Sequence, residues 1–382
     1  MHTRLGYHGS SIVNLMSSIA SSLDLQSPYA PLENESVLHL DDAENIVLMI
    51  IDGLGFNYLN DFKIDTLLKQ SLKSSMSTVF LPSTGSAISS FFTCLAPQQH
   101  AITGWYVYLQ EYGLVSRFLP FTTAIDWNVL GVDISESVGA TPILTKMQRD
   151  HYVILSNEIT NSVYSRYMSG NAERLGYSNL SEFFSQIRVA VKSSDASYVH
   201  AYWPQLDAIA HMLGIQSPEA KDHLYTFDKA LKIFREELEG TNTRLIVTSD
   251  HGFSDVNAEN SIFTRDHPKL NETLRLPLCG DTRTVFCYVK PNKGRDFERY
   301  ISDNFEETCE MHQSQLLIDD EWFGLFNPSP KLFERVGDYT LTFKEGFAML
   351  NCFPGMEPPM MLGHHGGISQ DELQVPLIVI DC

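Results

Sequence analysis

Residues 245–252 have the sequence Leu245-Ile246-Val247-Thr248-Ser249-Asp250-His251-Gly252. The first four are apolar or β-branched and predict a buried strand. The carboxylate of Asp250 and the imidazole of His251 follow directly where that strand ends. Open α/β sheets bind metals and substrates at the carboxyl ends of their strands. One Asp-His pair is weak evidence alone, so its meaning depends on similar residues elsewhere in the chain.

Asp52 is the first such residue. It follows an apolar run over residues 45–51, which predicts a strand buried on both faces. Gly53 comes next and allows a tight turn. A carboxylate at the tip of a buried strand is costly unless a cation or a hydrogen-bond donor meets it. The alternative is that Asp52 caps the following helix, because Asp is a preferred N-cap residue.

Two further places in the chain carry potential metal ligands. Asp207 and His211 follow Pro204, which can open a helix. A spacing of four residues puts both side chains on one helix face, where they could bind one metal or simply hydrogen-bond to each other. His365 lies in the glycine-rich segment 363–367, which indicates either a site loop or an ordinary surface turn.

A hydroxyl-rich segment, Pro82-Ser83-Thr84-Gly85-Ser86, precedes a predicted helix of small and apolar residues. A helix N-terminus favours anions because its backbone N–H groups are free. A hydroxyl that also contacts a metal becomes a nucleophile near neutral pH. A plain Ser or Thr cap is the alternative. Thr84 is the preferred nucleophile, with Ser83 and Ser86 as competing hydroxyls.

These separate signals agree with one another. The acidic, imidazole and hydroxyl side chains all fall at predicted strand ends, helix starts or turns. Carboxylate and imidazole ligands without cysteine suit zinc, manganese or another borderline divalent ion. The sequence therefore predicts a site for two metal ions.

The order of these motifs resembles that of the alkaline phosphatase superfamily, and most closely its nucleotide pyrophosphatase/phosphodiesterase branch. The resemblance runs from about Asn45 to the C-terminus. It rests on five motifs: Ile50-Ile51-Asp52-Gly53, Pro82-Ser83-Thr84-Gly85, Asp207-Ala208-Ile209-Ala210-His211, Ser249-Asp250-His251-Gly252 and His365-Gly366-Gly367. Two later segments are similar to bacterial and archaeal members: Gly280-Asp281-Thr282-Arg283 and Arg335-Val336-Gly337-Asp338.

The resemblance implies a fold, a ligand set and a reaction. The fold is α/β, a three-layer α/β/α sandwich around a mostly parallel central sheet. One divalent metal would be held by Asp207, His211 and His365. The other would be held by Asp52, Asp250 and His251, with Thr84 bound to it as the nucleophile. The implied activity is hydrolysis of a phosphodiester or pyrophosphate bond, in a nucleotide or related small molecule, through a phospho-threonine. Zn²⁺ is the favoured metal and Mn²⁺ the alternative.

One departure from the family pattern bears on the substrate. The diesterase branch carries an Asn about twenty residues after the nucleophile, and here that position falls near Trp105, with no Asn available. His100, Trp105 and Tyr106 are candidate replacements. The departure keeps a phosphomonoesterase, a phosphonate hydrolase and a phosphomutase open as alternatives. A catalytically degenerate metal-binding relative is the non-enzyme alternative, although all seven site positions carry competent residues.

The chain organisation is predicted as one alkaline phosphatase-like domain over residues 1–382. Its core would comprise residues 45–255 and 345–382, with variable or capping segments at 97–150 and 256–345 near the site. The aromatic residues of the first segment could stack on a leaving group or pack in the core. The pattern also predicts a strand at 74–79 and helices at 157–167, 180–192 and 219–238.

Composition excludes some classes of function. Asp and Glu outnumber Lys and Arg 47 to 27, for a net charge of −20, and no basic run is present. Nucleic-acid binding is therefore not expected. The six cysteines are scattered, which favours free thiols. The N-terminus does not resemble a signal peptide, and no apolar stretch suits a membrane span. A soluble, cytoplasmic protein is expected, with signal-independent export and the oligomeric state left open.

Overall fold

A seven-stranded sheet lies at the centre of the fold. Its strands, in spatial order, are Leu72–Ser77, Gln374–Asp381, Thr243–Thr248, Asn45–Ile51, Ser197–Trp203, Asp150–Ser156 and Glu173–Tyr177. Asn45–Ile51 is parallel to the strand on each side, and Gln374–Asp381 is antiparallel to both of its neighbours. The predicted, mostly parallel sheet is confirmed in this computed structural model, which describes residues 5–353, 355–358 and 360–382.

The central sheet is buried on both faces. Along strand Asn45–Ile51, Ile46, Leu48 and Ile50 join one apolar cluster and the alternate residues join another, because successive side chains point to opposite faces. Helices Ile12–Ser22 and Thr84–Thr93 contribute to the first cluster. Helices Leu180–Lys192 and Pro218–Glu237 contribute to the second. The three predicted layers are therefore confirmed.

The remaining α-helices have between 4 and 12 residues. They are Phe56–Asp61, Leu67–Gln70, Pro97–His100, Val163–Met168, Gln205–Leu213, Pro268–Thr273, Gly294–Phe305, Ser314–Asp319, Pro330–Arg335 and Gln370–Leu373. The helix predicted at 180–192 is confirmed, and the one predicted at 219–238 differs by one residue at each end. The prediction for 157–167 was wrong in its start, because Ser162 caps a helix that begins at Val163. The strand predicted at 74–79 lies at 72–77.

The two segments expected near the site share a second sheet. Its strands, in spatial order, are Cys309–Gln313, Tyr339–Phe343, Thr284–Cys287, Cys279–Gly280, Tyr106–Leu109, Leu114–Arg117 and Thr122–Thr123. All its pairings are antiparallel. Residue 280 pairs with residue 106, so this contact joins the segments 97–150 and 256–345. The division into one domain with capping segments stays a prediction.

Two small strand pairs lie outside the two large sheets: Ser254–Asp255 with Gly363–His364, and Ser261–Phe263 with Ala348–Leu350. Among the residues that the structure describes, no helix is both long and apolar enough to cross a lipid bilayer. The described cysteines are all free thiols, as expected. Residues 1–4, where the absence of a signal peptide is predicted, lie outside the described part of the chain.

Candidate active site

Asp52 lies at the carboxyl end of central strand Asn45–Ile51 and is 1% exposed. Its Oδ2 accepts a hydrogen bond from the Tyr202 hydroxyl, while its Oδ1 has no hydrogen-bond partner in the described structure. Gly53 follows with a φ of 78°, a left-handed conformation that favours glycine. The alternative role as a helix cap does not hold, because the next helix begins at Phe56 with Gly55 as its N-cap.

Asp250 and His251 follow the adjacent parallel strand, so they meet Asp52 at one edge of the sheet. Asp250 Oδ1 accepts hydrogen bonds from the N–H groups of Gly53 (3.2 Å) and His251 (3.1 Å). Its Oδ2 is buried without a partner. His251 Nε2 lies 3.3 Å from Asp52 Oδ1 and 3.5 Å from Asp250 Oδ2. These three side chains form one compact potential ligand group.

Asp207 and His211 share a face of helix Gln205–Leu213, with His211 Nε2 3.4 Å from Asp207 Oδ1. The Nδ1 atom of His211 lies 2.9 Å from the Gly363 carbonyl oxygen, which it can bond as a donor. That bond leaves Nε2 free to bind a metal. The structure therefore brings the pair into the site, as the spacing predicted.

His365 lies in the loop after strand Gly363–His364 and is 5% exposed. Its ring stacks on the His251 ring at a centroid distance of 3.9 Å, and its Nε2 lies 3.9 Å from Asp207 Oδ1. The most compact group around Asp207 contains His251 and His365 rather than His211 and His365. His365 is thus part of the site and not of a surface turn.

Thr84 is the first residue of helix Thr84–Thr93, and its Oγ1 lies 3.2 Å from His251 Nε2. Ser83 occupies the N-cap position, but its side chain makes no capping hydrogen bond, because its hydroxyl donates instead to Asp281 Oδ2 at 2.7 Å. The first-turn N–H groups of this helix are consequently available to an anion. Of the three candidate hydroxyls, that of Thr84 is the one with a hydrogen-bond contact to a predicted metal ligand.

The electrostatics of the site favour a bound cation. Burial raises the pKa of Asp52 well above its usual range, and the nearby charges of Asp207 and Asp250 raise it further. Burial also raises the pKa of Asp207. Burial and the neighbouring histidines lower the pKa of His365. Three carboxylate oxygens, Asp52 Oδ1, Asp207 Oδ1 and Asp250 Oδ2, are buried without partners. The donor set therefore fits divalent metal ions, which would satisfy all three.

The structure separates the three candidates for the missing Asn. Trp105 and Tyr106 line the same pocket as Thr84. His100 is fully buried elsewhere: its Nε2 lies 3.0 Å from Ser90 Oγ, and its Nδ1 accepts from the Ile102 N–H. The suggestion that His100 replaces the Asn was therefore wrong, because one ring nitrogen is engaged by Ser90 of the nucleophile helix and the other by the Ile102 N–H.

The pocket has a volume of about 530 Å³ and opens onto the predicted ligands. Its wall includes Trp105, Tyr106, Trp127 and Phe353, so the aromatic residues of segment 97–150 do reach the site. Asp281 also lines it, with Oδ2 3.7 Å from His365 Nδ1. No site role was predicted for Asp281, although its place at the end of strand Cys279–Gly280 follows the same pattern as Asp52.

A buried ion pair joins the second sheet to the site loops. Arg283 and Glu372 are both fully buried, with two N–H···O contacts of 2.9 Å. Glu372 also accepts from the Gly367 N–H, next to the His365 loop, and its carbonyl accepts from the Gly252 N–H, next to His251. Burial alone would raise the pKa of Glu372, but the Arg283 guanidinium holds it below its usual range.

Breaking this pair should destabilise the protein strongly. We expect Arg283→Met, or Glu372→Gln, to lower the free energy of unfolding by about 3–5 kcal/mol, because each leaves one buried charge without its partner. Urea denaturation at pH 7 measures this. The matched control is Arg188→Met in the half-exposed Arg188–Glu237 pair, which should cost less than about 1 kcal/mol. Equal losses of unfolding free energy at the buried and the half-exposed pair would contradict the expectation.

Comparison with known proteins agrees with this geometry. The model of the family described as type I phosphodiesterase/nucleotide pyrophosphatase matches residues 46–367. Two curated proteins, mouse and rat ectonucleotide pyrophosphatase/phosphodiesterase family member 7, are each 24% identical over 251 residues. The match covers 60% of this chain and 54% of each relative, so it spans about half the length of those relatives.

Solved structures of a phosphodiesterase relative and of a phosphonate hydrolase share the fold. Murine ectonucleotide pyrophosphatase/phosphodiesterase 5 has a TM-score of 0.67 and 16% identity, with 87% of each chain covered. One of its structures is an inactive variant in complex with AMP. Phosphonoacetate hydrolase from Sinorhizobium meliloti, in complex with phosphonoformate, has a TM-score of 0.62 and 16% identity, with 88% of this chain and 90% of the other covered.

Proposed function

Because the chain belongs to the type I phosphodiesterase/nucleotide pyrophosphatase family of hydrolases, we propose that it is a metal-dependent phosphoesterase. Its substrate would be a nucleotide or a related small molecule with a phosphodiester or pyrophosphate bond. The observation that carries this proposal is the set of three unpartnered, buried carboxylate oxygens beside two histidines and the Thr84 hydroxyl. Buried charges of one sign are costly unless cations meet them.

The proposed ligand sets follow the family resemblance. Asp207, His211 and His365 would hold one metal ion, and Asp52, Thr84, Asp250 and His251 would hold the other. Zn²⁺ is the favoured ion because the donors are carboxylate oxygens and imidazole nitrogens, and Mn²⁺ is the alternative. The His251 ring stacks on the His365 ring, so the two ligand groups would be adjacent.

The proposed reaction has two steps. When bound, the divalent ions would supply the positive charge that makes the Thr84 hydroxyl acidic and balances the charge on phosphorus and on the leaving group. Thr84 Oγ1 would release its proton to solvent and form a bond to phosphorus as the bond from phosphorus to the leaving oxygen breaks, and the leaving group would depart as an anion that solvent can protonate. Water would then attack phospho-Thr84, break its bond from phosphorus to Oγ1, release the phosphoryl group as a phosphate product and restore the hydroxyl. The first-turn N–H groups of helix Thr84–Thr93 are placed to bind phosphoryl oxygens.

A phosphonate hydrolase is the second candidate. The family's Asn is missing near Trp105, and phosphonoacetate hydrolase shares the fold. A phosphomonoesterase or phosphomutase is possible on the same ligand set, and a non-catalytic relative would bind metal without turnover. Metal-loaded protein should therefore be tested against bis(4-nitrophenyl) phosphate, 4-nitrophenyl phosphate and phosphonoacetate. The proposal predicts the largest kcat/KM for the diester. A larger value for either of the others would favour the corresponding alternative.

The expected location stays a prediction. The relatives have the prefix ecto- in their names, so they lend no support to a cytoplasmic protein. A small phosphate ester is the proposed partner, and the net charge of −20 continues to argue against nucleic-acid binding.

A further inference from the structure

One row of residues on the second sheet forms a wall of the pocket. Strand pairing places Val285 opposite Gly280, Gly280 opposite Tyr106, and Tyr106 opposite Arg117. Residues directly opposite in adjacent strands have their side chains on the same face. All four residues line the pocket that also contains Thr84 and His365. The sheet thus presents this row to the candidate ligand groups.

Arg117 is the cation of this wall. It is 2% exposed, and its Nη1 donates a hydrogen bond to the Thr123 carbonyl at 2.9 Å. No carboxylate of the described residues lies within ion-pair distance of its guanidinium. Apart from the candidate ligand Asp207, the acidic residues that line the pocket have partners of their own: Asp281 accepts from Ser83, and Glu357 pairs with Arg265. Arg117 is therefore a buried positive charge without a counter-ion in an acidic protein.

Trp127 holds this guanidinium in place. Its ring lies 3.7 Å from the Arg117 guanidinium carbon, and the Tyr106 ring lies on the same wall at 5.8 Å. Trp127 has a φ of 58°, which is unfavourable for a bulky residue, and its side chain is about half exposed at the pocket mouth. Stacking on an aromatic face fixes the plane of a guanidinium, and the edge N–H groups that are not donated to Thr123 or Tyr106 can still bond a planar anion.

From this arrangement we infer that Arg117 binds a second anionic group of the substrate, a carboxylate or a phosphate on the organic part that fills the pocket. The inference rests on the proposed function, because the reacting phosphoryl group is taken to bind near Thr84. A buried, unpaired charge is costly, and an anionic ligand group removes that cost through charge-assisted hydrogen bonds. Arg117 is thus a specificity-determining residue that separates anionic substrates from neutral ones.

The test uses two ligand series that share a phosphonate end. The first contains ω-carboxyalkyl phosphonates with two to six methylene groups, and the second contains the matching carboxamides. Dissociation constants are measured by calorimetry on zinc-loaded protein. At the best chain length, the carboxylate should bind wild-type protein at least about tenfold more tightly than its amide. In Arg117→Met that ratio should fall to about one, while the affinity for the amide stays unchanged. Arg117→Lys, which keeps the charge without the planar fork, should retain an intermediate ratio.

The control variant is Arg166→Met, because Arg166 also bonds a backbone carbonyl but lies exposed outside the pocket. Thermal melting checks that each variant is folded. An unchanged ratio in folded Arg117→Met would overturn the inference. An equal loss of affinity for the carboxylate and for its carboxamide would overturn it too, since Arg117 would then contact the reacting phosphoryl group. Failure of every phosphonate to bind, amides included, would contradict the proposed metal site and remove the basis of both proposals.

Discussion

Replacement of Thr84 by alanine is expected to lower kcat by on the order of 10³-fold or more while the protein keeps its metal ions. The reason is that the proposed covalent step has no other nucleophile: Thr84 Oγ1 lies 3.2 Å from His251 Nε2, within the ligand cluster. The six Asp and His ligands are untouched by the change. Turnover of the best diester and metal content by mass spectrometry, measured on one preparation, give both quantities.

The neighbouring serines supply matched controls for this prediction. Ser86→Ala removes a fully buried hydroxyl from the same helix turn and should leave kcat within about tenfold of wild type. Thr84→Ser keeps a nucleophilic oxygen and should retain more activity than Thr84→Ala. Rapid acid quenching should trap phosphate on wild-type protein but not on Thr84→Ala. Near-normal turnover in Thr84→Ala would contradict the covalent mechanism, whatever its metal content.

With metal bound, wild-type protein should be more stable than Asp52→Asn. Without metal, Asp52→Asn should be the more stable of the two. Without metal, the wild-type site holds three carboxylates that each have a buried oxygen without a hydrogen-bond partner, and Asp207 and Asp250 both repel the charge of Asp52. Loss of one negative charge should then stabilise the protein by on the order of 1–4 kcal/mol at pH 8. With zinc at about 1,000 times its Kd, the wild-type protein gains about 4 kcal/mol, and Asp52→Asn, which lacks a ligand, gains less.

Thermal unfolding in chelator and in zinc measures this inversion. Asn keeps the size of Asp52 and can still accept the hydrogen bond from Tyr202, so the change tests charge more than packing. Asp126→Asn is the control, because Asp126 is an exposed carboxylate in a loop away from the ligand groups. The stability of Asp126→Asn relative to wild-type protein should have the same sign with and without metal. A wild-type protein that is the more stable of the two in chelator would mean that the site does not concentrate negative charge.

The central sheet and most of the candidate site could be predicted because their signals are local in sequence. The apolar or β-branched runs 46–51 and 245–248 are continuous, so each predicts a buried strand whatever its neighbours are. Asp52 and Asp250 follow these runs directly, and parallel strands bring their carboxyl ends to one edge. Asp207 and His211 were likewise predictable, since the helical repeat alone puts them on one face.

The pairing of the second sheet could not be predicted, because one of its contacts is highly non-local: Gly280 pairs with Tyr106, more than 150 residues earlier in the sequence. Its strands include segments as short as Cys279–Gly280 and Thr122–Thr123. Such short runs carry little periodicity. Arg117 therefore had no detectable signal as a site residue, and Asp281 was not recognised as one although it directly follows Gly280. His100 was misjudged for the same reason: its distance along the chain from Thr84 does not reveal that it is buried against Ser90.

Metal content per chain is the measurement that tests the two-metal site most directly. The protein is purified without chelator or added metal, alongside Asp250→Ala, and both are analysed by inductively coupled plasma mass spectrometry. We predict close to two equivalents of zinc or manganese per wild-type chain and a clear loss in Asp250→Ala. A wild-type protein that contains no divalent metal, and takes up none on reconstitution, would contradict the proposal and put the non-catalytic alternative first.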